Sequence, residues 1–182
     1  LEKIVVSVLG QDRPGIVASV SSILYDHGCN IEDLTQTILQ AEFAAILLVD
    51  CPTSCLKALQ EDLSQALEPL NLSVFVRAAA SFALHEPQES TPLVVTTSGT
   101  DCSGQVARVS EVIKQAGGNI SELKAVRHTE TDHVRFIMIF EIDFPGSSDQ
   151  ALFRKHLGAA CRELGLDYSV QHREIFESIN RI

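Results

Sequence analysis

Tryptophan is absent from this chain of 182 residues, and its aromatic complement is two tyrosines and eight phenylalanines. A core without many large rings must be filled by Val, Ile, Leu and Ala, and the 45% apolar content supplies them. Runs of Lys and Arg are missing too: 14 basic residues face 24 acidic ones, for a net charge of −10. Nucleic-acid binding needs a basic stripe that neutralises phosphates, so direct contact with DNA or RNA is not expected, nor is an anionic membrane surface. No apolar run reaches the ~18 residues of a membrane span, and the first residues carry no signal-peptide pattern. A soluble cytoplasmic protein is the expectation. Cys29, Cys51, Cys55, Cys102 and Cys161 make an odd count without scaffold spacing and read as reduced core thiols. Cys51 and Cys55 have three residues between them and no matching second pair, so no zinc site is expected and no cofactor is implied.

What is present is a repeat. Gly10-Gln11-Asp12-Arg13-Pro14-Gly15-Ile16-Val17 recurs as Gly99-Thr100-Asp101-Cys102-Ser103-Gly104-Gln105-Val106, 89 residues on. The same shift superposes Gly28 on Gly117, Asn30 on Asn119, Ile31 on Ile120 and Leu34 on Leu123. Of the 25 positions from Gly10 to Leu34, 11 are identical in the two copies. Self-similarity at a fixed spacing marks a duplicated unit.

In the first copy, Ile4 to Leu9 is a short apolar run that reads as a buried strand. Asp12 is placed to accept backbone N–H bonds at a helix start, and Pro14 suits the first helical turn. Ile16, Val17, Val20, Ile23 and Leu24 then recur at helical spacing, ended by Gly28. Asn30 to Leu39 and Phe43 to Val49 read as a hairpin joined through Gln40, Ala41 and Glu42. Leu56, Leu59, Leu63, Ala66, Leu67 and Leu70 mark a second helix that stops at Glu68-Pro69. Leu72 to Phe82 supplies a last strand.

The polar, proline-bearing segment 85–92 is a linker. The second copy repeats the order, with strands at Leu93 to Thr97, Ile120 to Val126, Val134 to Ile142 and Leu166 to Val170. Pro145 stands 93 residues after Pro52, so the second hairpin is four residues longer, with Thr129 to Asp132 at its tip. The order is βαββαβ twice: an α+β chain of two tandem ferredoxin-like modules, antiparallel sheets with helices on one face. The modules span 1–84 and 93–173, followed by an extension at 174–182 in which Ile175, Phe176, Ile179 and Ile182 share one helical face. Phe136 to Phe140 is apolar on both alternating faces, which calls for something to hide the second face: the other copy, or another chain.

Chemistry concentrates in the strand-to-helix loop. Uncapped N–H groups and the positive end of a helix favour a carboxylate or phosphate there. Gly10 and Gly15 let a ligand approach the backbone, Asp12 can receive an ammonium group, and Asn30 offers a donor and an acceptor. A zwitterionic amino acid matches that set. The same residues also suit a purely structural turn, and duplication copies both kinds of residue alike.

Gly10-x-Asp12-Arg13-Pro14-Gly15-Ile16-Val17 with Gly28-x-Asn30-Ile31 resembles the signature of ACT domains, over nearly the whole chain and twice. The Asp-Arg-Pro-Gly form is similar to the subgroup found in the glycine cleavage system transcriptional repressor and at the N-terminus of formyltetrahydrofolate deformylase. The resemblance implies a non-catalytic regulatory protein, working as a homodimer, that binds an amino-acid effector between neighbouring ACT modules and modulates a regulatory protein partner. Carried over by position, the first ligand site takes Gly10, Asp12, Arg13, Pro14, Gly15, Ile16, Asn30 and Ile31. The second takes Asp101, Ser103, Gly104, Gln105, Asn119 and Ile120. Cys102 and Ser103 replace Arg-Pro in the second loop, which predicts unequal affinity in favour of the first.

Two alternatives stand beside this reading. Acylphosphatases share the βαββαβ order and carry an arginine where Arg13 falls, where it could stabilise phosphoryl charge; they also need an asparagine to orient water, and Asn30 falls at the start of the next strand. A ligand-free protein-interaction module is the other, favoured by the apolar strand Phe136 to Phe140 and the amphipathic tail. His128, Asp132 and His133 near the second hairpin tip read as exposed loop residues rather than a metal site.

Overall fold

The computed structural model describes residues 1–53, 55–79, 90–129 and 134–180. The chain divides into two units, Leu1–Ala83 and Leu84–Ile182. The first contains β1 (Glu2–Gln11), α1 (Ile16–Asp26), β2 (Asn30–Leu39), β3 (Glu42–Cys51), α2 (Leu56–Leu67) and β4 (Leu72–Ala78), with a 3-10 turn at Glu68–Leu70. The second contains β5 (Ser90–Thr100), α3 (Gln105–Gln115), β6 (Asn119–Thr129), β7 (Val134–Pro145), α4 (Gln150–Glu163), β8 (Leu166–His172) and α5 (Arg173–Asn180). Each unit folds its strands into one antiparallel sheet, ordered β2-β3-β1-β4 and β6-β7-β5-β8.

Period-two alternation decides the faces. Ile4, Val6 and Val8 of β1 point inward with Phe43, Ala45, Leu47 and Val49 of β3. Ile16, Val20 and Leu24 of α1 and Leu59, Leu63 and Leu67 of α2 close over them. In the second unit Val95, Phe140, Ile142 and Phe144 meet Val109 and Ile113 of α3 and Phe153 and Leu157 of α4. On the opposite face of the first sheet, Leu9, Ile46 and Phe75 are exposed. In the second unit α5 packs against β5 and β8.

Several boundaries differ from the sequence reading. The helix after the first loop begins at Ile16 with Gly15 as its N-cap, and no side chain caps it. Asp12 therefore does not cap it, and Pro14 precedes the helix instead of opening it. β5 starts at Ser90, so the end of the expected linker is strand; residues 85–89 lie outside the described ones. The hairpin-tip residues Asp132 and His133 also lie outside them, as do Phe82, Ile182 and the side chain of Ile179. Ile175 is 54% exposed, so the extension does not bury its apolar face as one stripe. Cys51 and Cys55, expected as reduced thiols, are disulfide-bonded.

Candidate ligand site at the strand-to-helix loops

Both units build the same loop. Gly15 and Gly104 sit at φ +96° and +89°, a left-handed conformation that L side chains rarely adopt, and a Cβ on either would meet nothing within 4 Å. Their carbonyls accept the first helical bonds, from Ser19 and Arg108 N–H groups at 2.9 Å. Neither N-cap supplies a side-chain acceptor. The N–H groups of the first helical turn, at Ile16 to Ala18 and Gln105 to Ala107, thus have no intrahelical partner by helix geometry. In the first unit the loop is fixed at its base by Asp12 N–H, which donates to the Ala41 carbonyl at 2.8 Å. Asp12, Pro14 and Gly15 are exposed, and Arg13 is half-buried.

Gly10 has a different task from the one its spacing implied. A Cβ there would lie 2.5 Å from the Asn71 carbonyl oxygen and 2.9 Å from a Leu72 methyl. Gly99 meets the Gly165 carbonyl oxygen and Leu166 in the same way, at 2.8 and 2.7 Å. These glycines let the loop after the second helix pack against the first strand.

The structure does not bring Asn30 and Ile31 to the loop of their own unit. Asn30 pairs with Asp50, which pairs with Lys3, whereas the loop leaves the far end of β1 after Gln11. Seven strand steps separate Lys3 from Gly10, about 24 Å at ~3.4 Å per residue. A helix following a strand carries the chain back to the end where that strand began, so the next strand starts there. Asn119 and Ile120 are displaced in the same way, Asn119 pairing with Asp143 and that residue with Pro92. Ile31 and Ile120 pack against their cores. Within one unit, Arg13 and Asn30 therefore do not form an acylphosphatase-like pair.

The second loop borders a cleft. About 420 Å³ is lined by Asp101, Gly104, Val106, Ala107, Arg127 and Phe136, among others. Arg127 Nε lies 2.7 Å from Asp101 Oδ2. Arg127 is reached through β6, whose register sets it opposite Phe136, which in turn faces Gly99. The pair combines one cation and one anion beside an uncapped helix start. With Arg127 71% exposed, it adds little to stability and is free to be re-partnered. Sequence spacing missed Arg127, because the register places Ile38, opposite Phe43, at the matching point of the first unit. Near this end the first copy holds Arg13 in its loop, and the second holds Arg127 and Arg135 on its hairpin strands, where Cys102 has taken the loop position.

Gln105 is only 1% exposed, and its Nε2 donates to the Thr100 carbonyl at 2.9 Å. Its Oε1 is buried without a partner. It braces the loop from within, in the place that Ile16, 3% exposed, fills in the first unit. An orphaned buried acceptor costs about 1–3 kcal/mol, while the Thr100 carbonyl stands at an exposed residue that water can serve. Gln105→Ile is expected to raise folding stability by about 1 kcal/mol in urea unfolding, and a loss of stability would overturn this account of the side chain.

Comparison with known proteins follows the same two-part division. A family model described as ACT domain matches residues 2–77 and again 91–171. A UPF0237 protein of Methanopyrus kandleri is 44% identical over 79 residues, 42% of this chain and 88% of the relative. The glycine cleavage system transcriptional repressor of Escherichia coli is 25% identical over 169 residues, 92% of this chain and 88% of the relative. A solved structure of a protein from Galdieria sulphuraria has a TM-score of 0.79 at 27% identity, covering 94% of this chain and 98% of that one.

Proposed function

The chain belongs to the ACT-domain family, and from that membership we propose that it is a non-catalytic sensor whose helix-start loops take a free amino acid. The observation that carries this reading, against the expectation that favoured the first loop, is the Asp101–Arg127 pair at the mouth of the second cleft, beside helix N–H groups that lack intrahelical partners. A zwitterion inserts into such a pair without leaving either charge alone. Its ammonium goes to Asp101, and its carboxylate goes to Arg127 and the N–H groups of α3. The walls formed by Val106, Ala107 and Phe136 receive a small apolar side chain. A volume of about 420 Å³ is in the range of small-molecule sites. In the family manner a neighbouring ACT module would close the site, and Asn30 or Asn119 of such a neighbour would then be available to the ligand.

The Escherichia coli relative is named as a transcriptional repressor. With a net charge of −10, this chain is poorly suited to hold DNA phosphates itself. We therefore read its output as modulation of a partner protein, with glycine and one-carbon metabolism as the first context to examine. Equilibrium dialysis of the full chain against each of the twenty amino acids, glycine included, tests the proposal. Saturable binding of one or a few is expected, weakened at least about tenfold by Asp101→Ala and by Arg127→Ala, about 1.4 kcal/mol each. Absence of binding across the panel would overturn it.

A further inference from the structure

At the opposite end of the first unit three sulfurs meet. Cys29 follows α1, with its N–H donated to the Leu24 carbonyl at 2.9 Å. Cys51 ends β3, and Cys55 is the N-cap of α2, its carbonyl accepting from Leu59 N–H at 2.8 Å. The three Sγ atoms all lie within 4.8 Å of one another, although they come from three different elements. Cys51 is buried, and the other two are half-buried. Cys51 and Cys55 are joined, while Cys29 is free.

A staple is a poor explanation for this cluster. Closing so short a loop, with the two residues four apart, removes little entropy from the unfolded chain, and a staple has no use for a third thiol beside it. The duplication supplies an internal control. In the second unit Gly118, Phe144 and Ser148 stand at the equivalent places, and a Cβ on Gly118 would touch the Phe144 ring at 2.9 Å. There the space is filled by an aromatic ring and carries no sulfur. The ACT frame therefore does not require these cysteines, and the first unit holds all three together.

We propose that the three sulfurs form a site for a soft d10 cation, zinc above all, and that the Cys51–Cys55 disulfide is the oxidised, metal-free state of that site. Opening it takes two electrons and two protons from a dithiol, which leaves as its own cyclic disulfide, and gives two thiols. The cation then displaces the thiol protons to solvent and binds three thiolates. Sulfurs on one tetrahedral zinc lie about 3.8 Å apart, for Zn–S bonds of ~2.3 Å, so Cys29 must approach by about 1 Å at most, while Cys51 and Cys55 move apart once their bond is broken. The N-terminus of α2 favours negative sulfur at Cys55. The fourth position is left to water or to an outside ligand.

Cobalt(II) is the probe, because its thiolate charge-transfer and d–d bands report the donor set. The full chain, reduced and then freed of reductant, is expected to bind one equivalent with a charge-transfer intensity of three thiolates in tetrahedral geometry. Cys29→Ser is expected to lose about a third of that intensity and about 100-fold or more in affinity, whereas Cys102→Ser and Cys161→Ser leave both unchanged. The oxidised chain is expected to show no such band. A reduced chain without the band, a Cys29→Ser variant indistinguishable from the parent, or equal binding by the oxidised chain would each overturn the proposal. Alkylation mapping of the parent covers the case in which Cys29→Ser does not fold. Zinc should protect Cys29, Cys51 and Cys55 together, and protection of any other set overturns the assignment.

Discussion

Gly10→Val is expected to cost about 3 kcal/mol of folding free energy, and Gly99→Val a similar amount. The first atom of any side chain at Gly10 lands 2.5 Å from a backbone oxygen, that of Asn71, which cannot rotate away as a side chain would. Relief requires β1 and β4 to separate where Gly10 pairs with Leu72. Leu72 is a core residue at 5% exposure, so the separation also opens the core. Gly15→Ala is the contrast. It meets no neighbour, and its cost is limited to holding φ at +96°, about 1–2 kcal/mol. Urea unfolding ranks the two. Hydrogen exchange should place the weakened amides of Gly10→Val along β1 and β4. If Gly10→Val proves no more costly than Gly15→Ala, close approach is not what holds glycine at that strand end.

That contrast shows how much the sequence could tell. The repeat, the alternating apolar residues of β1 and β3 and the helical spacing of Ile16, Val20 and Leu24 were sufficient for the fold, because burial of one face decides strand register and helix orientation. The glycine loop was visible for a different reason: a left-handed N-cap accepts few other residues. Which glycine is held by its backbone angle and which by the approach of Asn71 was not visible, since both carry the same local signal. Asn30 follows Gly15 by fifteen residues yet lies at the other end of the sheet, a separation that only the strand register reveals. Arg127 has no counterpart at Ile38, and only strand register brings it to Asp101. The sulfur cluster did leave a trace. Once Gln40 to Glu42 join β2 to β3, Cys29 and Cys51 must fall at the same open end of the hairpin, a pairing that reading cysteines by sequence spacing alone overlooks.

The anchoring of α5 is the other change with a large expected effect. Arg173 Nη2 lies 3.1 Å from Asp143 Oδ1 and donates to Ser121 Oγ at 3.0 Å. Its Nε sits 3.0 Å from Glu141 Oε2 without a hydrogen-bonding angle, so that contact is electrostatic. Glu141 and Asp143 are two apart on β7 and share its outward face. Glu122, held below the ordinary carboxylate range first by its hydrogen bond from Lys124, adds a third negative group beside them. At 23% exposure the guanidinium is well screened from water, as are its two acidic partners at 28% and 31%. Arg173→Ala leaves those carboxylates facing one another and is expected to cost about 2–3 kcal/mol. It should also strip exchange protection from α5, which packs on β5 and β8. Arg173→Lys keeps the charge but loses the fork that spans two carboxylates, and should recover less than half. Adding Glu141→Gln and Asp143→Asn to Arg173→Ala should restore part of the stability by removing the repulsion, without restoring the protection of α5. If α5 stays protected in Arg173→Ala, its contacts with β5 and β8 hold it without the arginine.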